Sequence, residues 1–459
     1  KYINNWKEEL EQIELTGITV KAELNDVFYG RGYNLEYITK NFNNTLVLAT
    51  EISKIYCDEK TGEIYPQVIK NIQARFKKAI LNNANLYVND LTNWKYNDKN
   101  MLLDNSITKT IQKIDNHLYR LLKSFEMLTY INPINVNSEK ARFFKSKFTV
   151  NPNFKYKPIK INPYELTKSL HSIDTTQIED ITIRHLYESV ITGCIDKINL
   201  LSSIGTDKFL YNSLRYFGRP NKVDIRNAEY ILLLPEIKEE NIRGQRFGVD
   251  KAKEIFEEAF ENYGFKGKIK VDKKSLSTVM VINSTKTVVL KDGATFSQNE
   301  LQYLAEHEIG VHMVTTMNAT NNKLKIFSVG LPINTRTGEG MAVLSEYLSG
   351  NFTMNRLREL ALRVVAVDLM CNGSDFKECF NSLVQDYKIE HNRAYNLVTR
   401  VYRGGGFTKD YLYLNGFSQL FKFWQDGNDL TPLLVGKTSI GFYNTIVEMI
   451  DRNLIDKPQ

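Results

Sequence analysis

Residues Tyr303-Leu304-Ala305-Glu306-His307-Glu308-Ile309-Gly310-Val311-His312-Met313 hold two of the chain's six histidines, and their spacing decides how the chain is read. The helix that carries them opens with local signals. Ser297 and Glu300 make a capping box, Phe296 and Leu301 a hydrophobic staple, and Leu304, Ile309 and Met313 continue an apolar face. A regular α-helix turns about 100° per residue, so side chains five residues apart diverge by about 140°. Such a helix cannot aim both imidazoles at one ion. One widened, π-type turn removes the conflict, and Gly310 is the residue that tolerates it. The expectation is therefore a π-bulge around Ile309 to Val311, with both rings on one face. Glu308, beside the first ring, would then act on a metal-activated water, as the glutamate of H-E-x-x-H peptidases does.

A third donor is expected downstream. After a loop, Asn318 to Thr335, a further helix opens at Arg336-Thr337-Gly338-Glu339-Gly340-Met341. Glu339 falls in its first turn, between glycines that permit close packing; a bland account is that acidic residues suit helix N-termini. Glu346, seven residues on, shares its face and competes as ligand, or else holds a histidine from behind. Two histidines and one carboxylate leave a position open for water, which is the pattern of a catalytic zinc site. His117, His171, His185 and His391 have no partner at ligand spacing and read as surface or core residues.

The rest of the chain bounds the reading. At 459 residues it exceeds one ordinary core, so several domains are expected. We expect a helical region of unknown role over 1–110, a linker and joint over 111–163, and the metallopeptidase domain over 164–459. The net charge of +7 is spread among intermingled lysines and acids, which argues against a nucleic-acid partner. Apolar runs fall far short of the ~20 residues that cross a bilayer, so no membrane partner is expected. Cys57, Cys194, Cys371 and Cys379 are scattered, which fits a reducing cytoplasm, although a leader trimmed ahead of Lys1 stays open. The excess of Asn, Lys, Ile and Tyr suggests a bacterial source.

Periodicity places helices over Val68 to Ile80, Ile107 to Phe125, Gln177 to Leu201, Phe209 to Tyr216 and Lys251 to Tyr263. Strands are expected at Glu229 to Leu234 and Lys268 to Val271. A hairpin is expected from Thr278–Ile282 and Thr287–Leu290 through Asn283-Ser284. The fold class is α+β: a mainly helical, zincin-like metallopeptidase with a small, mostly antiparallel sheet before the zinc helix.

The blocks "HEIGVH" and "TGEGMA" resemble the metallopeptidase family of the microtubule-associated tyrosine carboxypeptidases and of bacterial proteins with a Gln-Glu-Gly-Leu-Ala motif. "LRYFGRP" (214–220), "KDGATFS" (291–297) and "RVYRGGGFTKDYLYLNG" (400–416) extend the likeness over roughly Phe143 to Ile450. The resemblance implies zinc on His307, His312 and Glu339, Glu308 as catalytic base, and removal of a C-terminal residue, aromatic in animal members. Gly338 and Met341 depart from the family's motif, which bears on the substrate pocket and not on the metal. Such an enzyme needs a cation for the terminal carboxylate, an aligning edge strand and an oxyanion donor. We nominate Lys409, with Arg403 and Arg336 behind it, for the cation. Thr287–Leu290 is nominated as the strand, and Tyr413, then Tyr402, as the donor. Gly404-Gly405-Gly406 would let a loop close over the substrate, a peptide or protein C-terminus. An endopeptidase or aminopeptidase of the same zinc class, or a regulatory protein that keeps a structural zinc, are the other readings.

Overall fold

The computed structural model describes residues 1–13, 15, 18–27, 29, 32–42, 45–91, 107–123, 127–234, 246–273, 278–282 and 285–458. The chain divides into two compact units, Lys1–Ile107 and Thr108–Gln459. In the first, the helix Tyr2–Glu11 lies against the long helix Pro66–Leu91. Trp6, Leu10 and Ala79 are buried there, with Val68, Ile72 and Phe76 packed around them. The helix expected over Val68 to Ile80 is thus present with Val68, Ile72 and Phe76 turned to the core, whereas Ile80 is exposed.

Two of the hydrophobic clusters in the second unit bear on the site. The larger includes the helix Met354–Cys371, which is buried without a break from Leu360 to Val367. The smaller joins the helix Val249–Asn262, a three-stranded sheet and the histidine helix through Phe256, Val288, Leu290, Leu301 and Ile309. Among the described residues no helix is long and apolar enough to cross a membrane.

The sheet is mixed. Strand β1 (Lys268–Asp272) pairs parallel with β3 (Thr287–Lys291), and β2 (Val279–Ile282) pairs antiparallel with β3, giving the order β1-β3-β2. The expected antiparallel hairpin is present, with Val281 opposite Val288; its Asn283-Ser284 turn lies outside the described residues. The expectation of a mostly antiparallel sheet is corrected to one pairing of each kind. Thr287–Leu290 is also central and not an edge. Its four residues are all buried, as a near-continuous apolar run flanked on both sides requires.

Glu229 to Leu234 is not a strand. It is the end of the helix Lys222–Leu233, started by a full capping box between Asn221 and Asp224. A short apolar run such as Ile231 to Leu234 fits helix or strand equally, and here the upstream cap settles which forms. The expected loop from Asn318 to Thr335 likewise contains structure. One helix runs on to Asn321, and a short one spans Ile326–Val329.

A candidate metal site

The Ser297 hydroxyl accepts from the Glu300 amide and the Glu300 carboxylate accepts from the Ser297 amide, so the helix Gln298–Ala305 begins as the sequence indicates. It then continues as a π-helix over Glu306–Met313 before returning to α at Val314. The widening covers the whole motif and not one turn. Gly310 serves close packing there. A Cβ at this position would lie 2.6 Å from the Tyr263 hydroxyl, which donates to Glu306 Oε2 at 2.7 Å.

The consequence is the one the spacing demands. The imidazoles of His307 and His312 face each other with centroids 5.0 Å apart and planes at 79°. Glu339 Oε2 lies 3.7 Å from His307 Nε2 and 3.5 Å from His312 Nε2. All three donor atoms lie within 4.8 Å of one another, a set that can hold a metal ion. Bonds of about 2.0–2.2 Å in tetrahedral geometry put neighbouring ligand atoms ~3.3–3.6 Å apart, so the residues present fit such an ion with little movement.

Glu339 sits in the second turn of the helix Asn334–Leu348, which starts two residues before the expected Arg336. Its place therefore owes little to the helix N-terminus, where the dipole effect is concentrated. What brings it to the histidines is a helix crossing. Gly340 backs onto Gly416 of the helix Leu412–Gln425 so closely that a Cβ on Gly340 would lie 2.4 Å from the Gly416 carbonyl carbon.

Behind the donors lies a chain of buried charge. His307 Nδ1 donates to Glu346 Oε1 at 2.7 Å, which leaves Nε2 turned toward Glu339. Arg356 grips both oxygens of Glu346 at 2.9 Å, and Glu346 is fully buried. Glu346 is thus a partner of the ring and not one of the three converging donors. Burial alone would lower the His307 pKa, but the carboxylates of Glu339 and Glu346 raise it to about 10. A cation among these carboxylates would compete with the proton that they favour on the ring. Burial pushes Glu339 up, yet the Lys409 charge and the two imidazoles hold it well below the usual carboxylate range.

The other expected residues divide. Lys409 Nζ is 2.7 Å from Glu339 Oε1 and donates to the Tyr413 hydroxyl at 3.2 Å, so both stand beside the cluster. Lys409 and Asp410 are not a surface pair. Both are buried, and Asp410 is held by Arg400 at 2.6 Å. Glu308 is 9% exposed, and its carboxylate makes no hydrogen bond to a described residue.

Arg403 bonds Asn132 at 2.7 Å and lies over the Phe407 ring; Arg336 is half-buried with its carbonyl against Gly416. Neither arginine lines the cleft beside the donors. Tyr402 donates to the Ser374 carbonyl, away from the cluster. The three glycines of 404–406 take φ values of +78°, +114° and +122° and wrap Phe209 and Leu210. They are packed, which opposes their reading as a closing loop.

A cleft of about 700 Å³ opens onto His312 and Glu339. Met280, Val281 and Ile282 of β2 form one wall, with Val311 and Met341 nearby. Lys123, Lys197, Lys286, Lys409 and Lys437 also line it, and Glu339 is its only acid among the described residues. Sequence reasoning missed the other four lysines and Arg356. They come from separate elements and share no local spacing, so only tertiary structure assembles them.

A solved structure titled "The structure of a putative lipoprotein of unknown function from Shewanella oneidensis" aligns with 85% of this chain and 80% of its own, at 12% identity and a TM-score of 0.33, too remote to carry an argument. The Mus musculus protein named "Putative tyrosine carboxypeptidase MATCAP2" is 25% identical over 333 residues, which are 69% of this chain and 55% of the mouse protein. The chain thus spans about half the length of that relative. The family model described as microtubule-associated tyrosine carboxypeptidase matches residues 141–459. On that match, the chain belongs to the microtubule-associated tyrosine carboxypeptidase family.

Proposed function

We propose that this chain is a zinc-dependent carboxypeptidase that hydrolyses the last peptide bond of a peptide or protein. The observation that carries the reading is the convergence of two imidazoles and one carboxylate at the wall of a cleft, with buried Glu308 beside them. His307, His312 and Glu339 would hold the metal, and an N,N,O donor set suits zinc. When bound, zinc would polarise the scissile carbonyl and make an attacking water more acidic.

The remaining roles belong to the chain's own side chains. Glu308 takes the proton of the attacking water and hands it to the leaving amine, so one carboxylate serves as base and then acid. Lys409 has three N–H donors, and Glu339 and Tyr413 occupy two among the described residues. The third is available to the substrate's terminal carboxylate. Tyr413 receives its hydrogen bond from Lys409, which leaves its own O–H to donate to a developing oxyanion. Among the described residues β2 pairs only with β3, so its other edge can align an extended peptide along the cleft wall. This replaces Thr287–Leu290 in that role.

A panel of peptides with free and with amidated C-termini tests the reading. Release of single residues from the free forms only is expected. Equal hydrolysis of the amides would point to an endopeptidase, and loss of N-terminal residues to an aminopeptidase.

A further inference from the structure

Three glycines lie close to the metal donors, and two have a packing reason. A side chain on Gly310 would strike Tyr263, and one on Gly340 would strike the Gly416 backbone. Gly338 differs. It lies inside the helix Asn334–Leu348, and a Cβ there would meet nothing within 4 Å. It is not among the residues with positive φ, so its backbone does not require glycine either. Glycine is nevertheless the poorest helix former after proline, so its presence here weakens the helix without a structural return. What it borders is the cleft. Gly338 lines that cleft next to Glu339, and so do Thr335 and Met341, three residues before and after it on the same helix face.

We propose that Gly338 is a specificity-determining position: the missing side chain leaves the room that a bulky, apolar or aromatic terminal residue of the substrate fills. The inference rests on the carboxypeptidase reading and adds to it the residue that shapes the subsite. The terminal residue is assigned to this place by Lys409. Its ammonium bonds one oxygen of Glu339, so a substrate whose carboxylate it takes has its last residue against this helix. Met341 and Val311 give the subsite apolar walls. A bulky residue at 338 would compete for the same volume.

The test uses the full chain with Gly338→Ala and Gly338→Leu, and peptides ending in Ala, Leu, Phe or Tyr. The ratio of kcat/KM for Tyr-ending over Ala-ending peptides should fall at least tenfold in Gly338→Leu, with a smaller fall in Gly338→Ala. The melting temperature of metal-free Gly338→Ala should rise by about 1–3 °C, because only helix propensity changes. An active Gly338→Leu variant with the parent's selectivity would overturn the inference. A lower melting temperature in Gly338→Ala would do the same, by showing that the glycine serves packing. A parent chain inert on every peptide would instead bring down the carboxypeptidase reading itself.

Discussion

At the residue scale, the side chains that would hold the metal are distinct from the one that would move the proton. Glu308 is buried beside the donors without being one of them. Glu308→Gln should therefore keep one zinc per chain, while kcat falls by about 10²–10⁴. Metal analysis and turnover on the same sample check this. Glu346 makes the opposite prediction. It holds His307 from behind and is itself gripped by Arg356. Glu346→Gln should weaken zinc binding by about 10–100-fold in a chelator competition. At this scale much was legible. His307 and His312 announce themselves by type and spacing, and Glu339 as one of two candidate carboxylates. Arg356 does not, because its partner lies on the preceding helix and nothing local marks the pairing.

At the element scale, the site depends on two departures from ordinary helix packing. The first is the π-run over Glu306–Met313, which the five-residue spacing of the histidines requires. Its existence was readable from the sequence, and its full length was not, because the spacing asks only for one widened turn. The second is the crossing of the helices Asn334–Leu348 and Leu412–Gln425 at Gly340 and Gly416. Gly340→Ala should force these helices apart and cost roughly 1–3 kcal/mol of stability. Because Glu339 is the adjacent residue, zinc affinity should fall with it; a variant with unchanged melting temperature and zinc content would remove the crossing from the account. The sheet shows where local reading stops. The β2–β3 hairpin is legible in two β-branched runs separated by a turn signal. The parallel addition of β1, which makes β3 central, depends on pairing across sequence and leaves no local mark.

At the scale of the whole molecule, two compact units are joined near residue 107. The metal donors all belong to the second. Calorimetry should show two unfolding transitions, and zinc should raise only one of them, because a ligand stabilises the unit whose folded form it binds. Carboxylates paired with arginines, half-exposed Glu359 and buried Asp410, set the response to acid. Burial raises Glu359, but Arg363 and Arg356 outweigh it and bring its pKa down from 4.5 to about 2. Arg400, Arg363 and Arg403 likewise depress Asp410. Folded-state values below the unfolded ones mean that this stability is fully present above the unfolded pKa and lost as pH falls. Acid unfolding of the second unit should therefore develop between about pH 4.5 and 2, followed by circular dichroism. The cationic character of the cleft also belongs to this scale. A mildly basic composition gave no hint that five lysines would line one cleft.

The most direct test of the central claim is the zinc content of the purified chain beside that of His312→Ala, measured after dialysis against buffered zinc. One ion per parent chain and none in the variant is the predicted result. A parent chain without zinc, or a variant that holds as much as the parent, would contradict it.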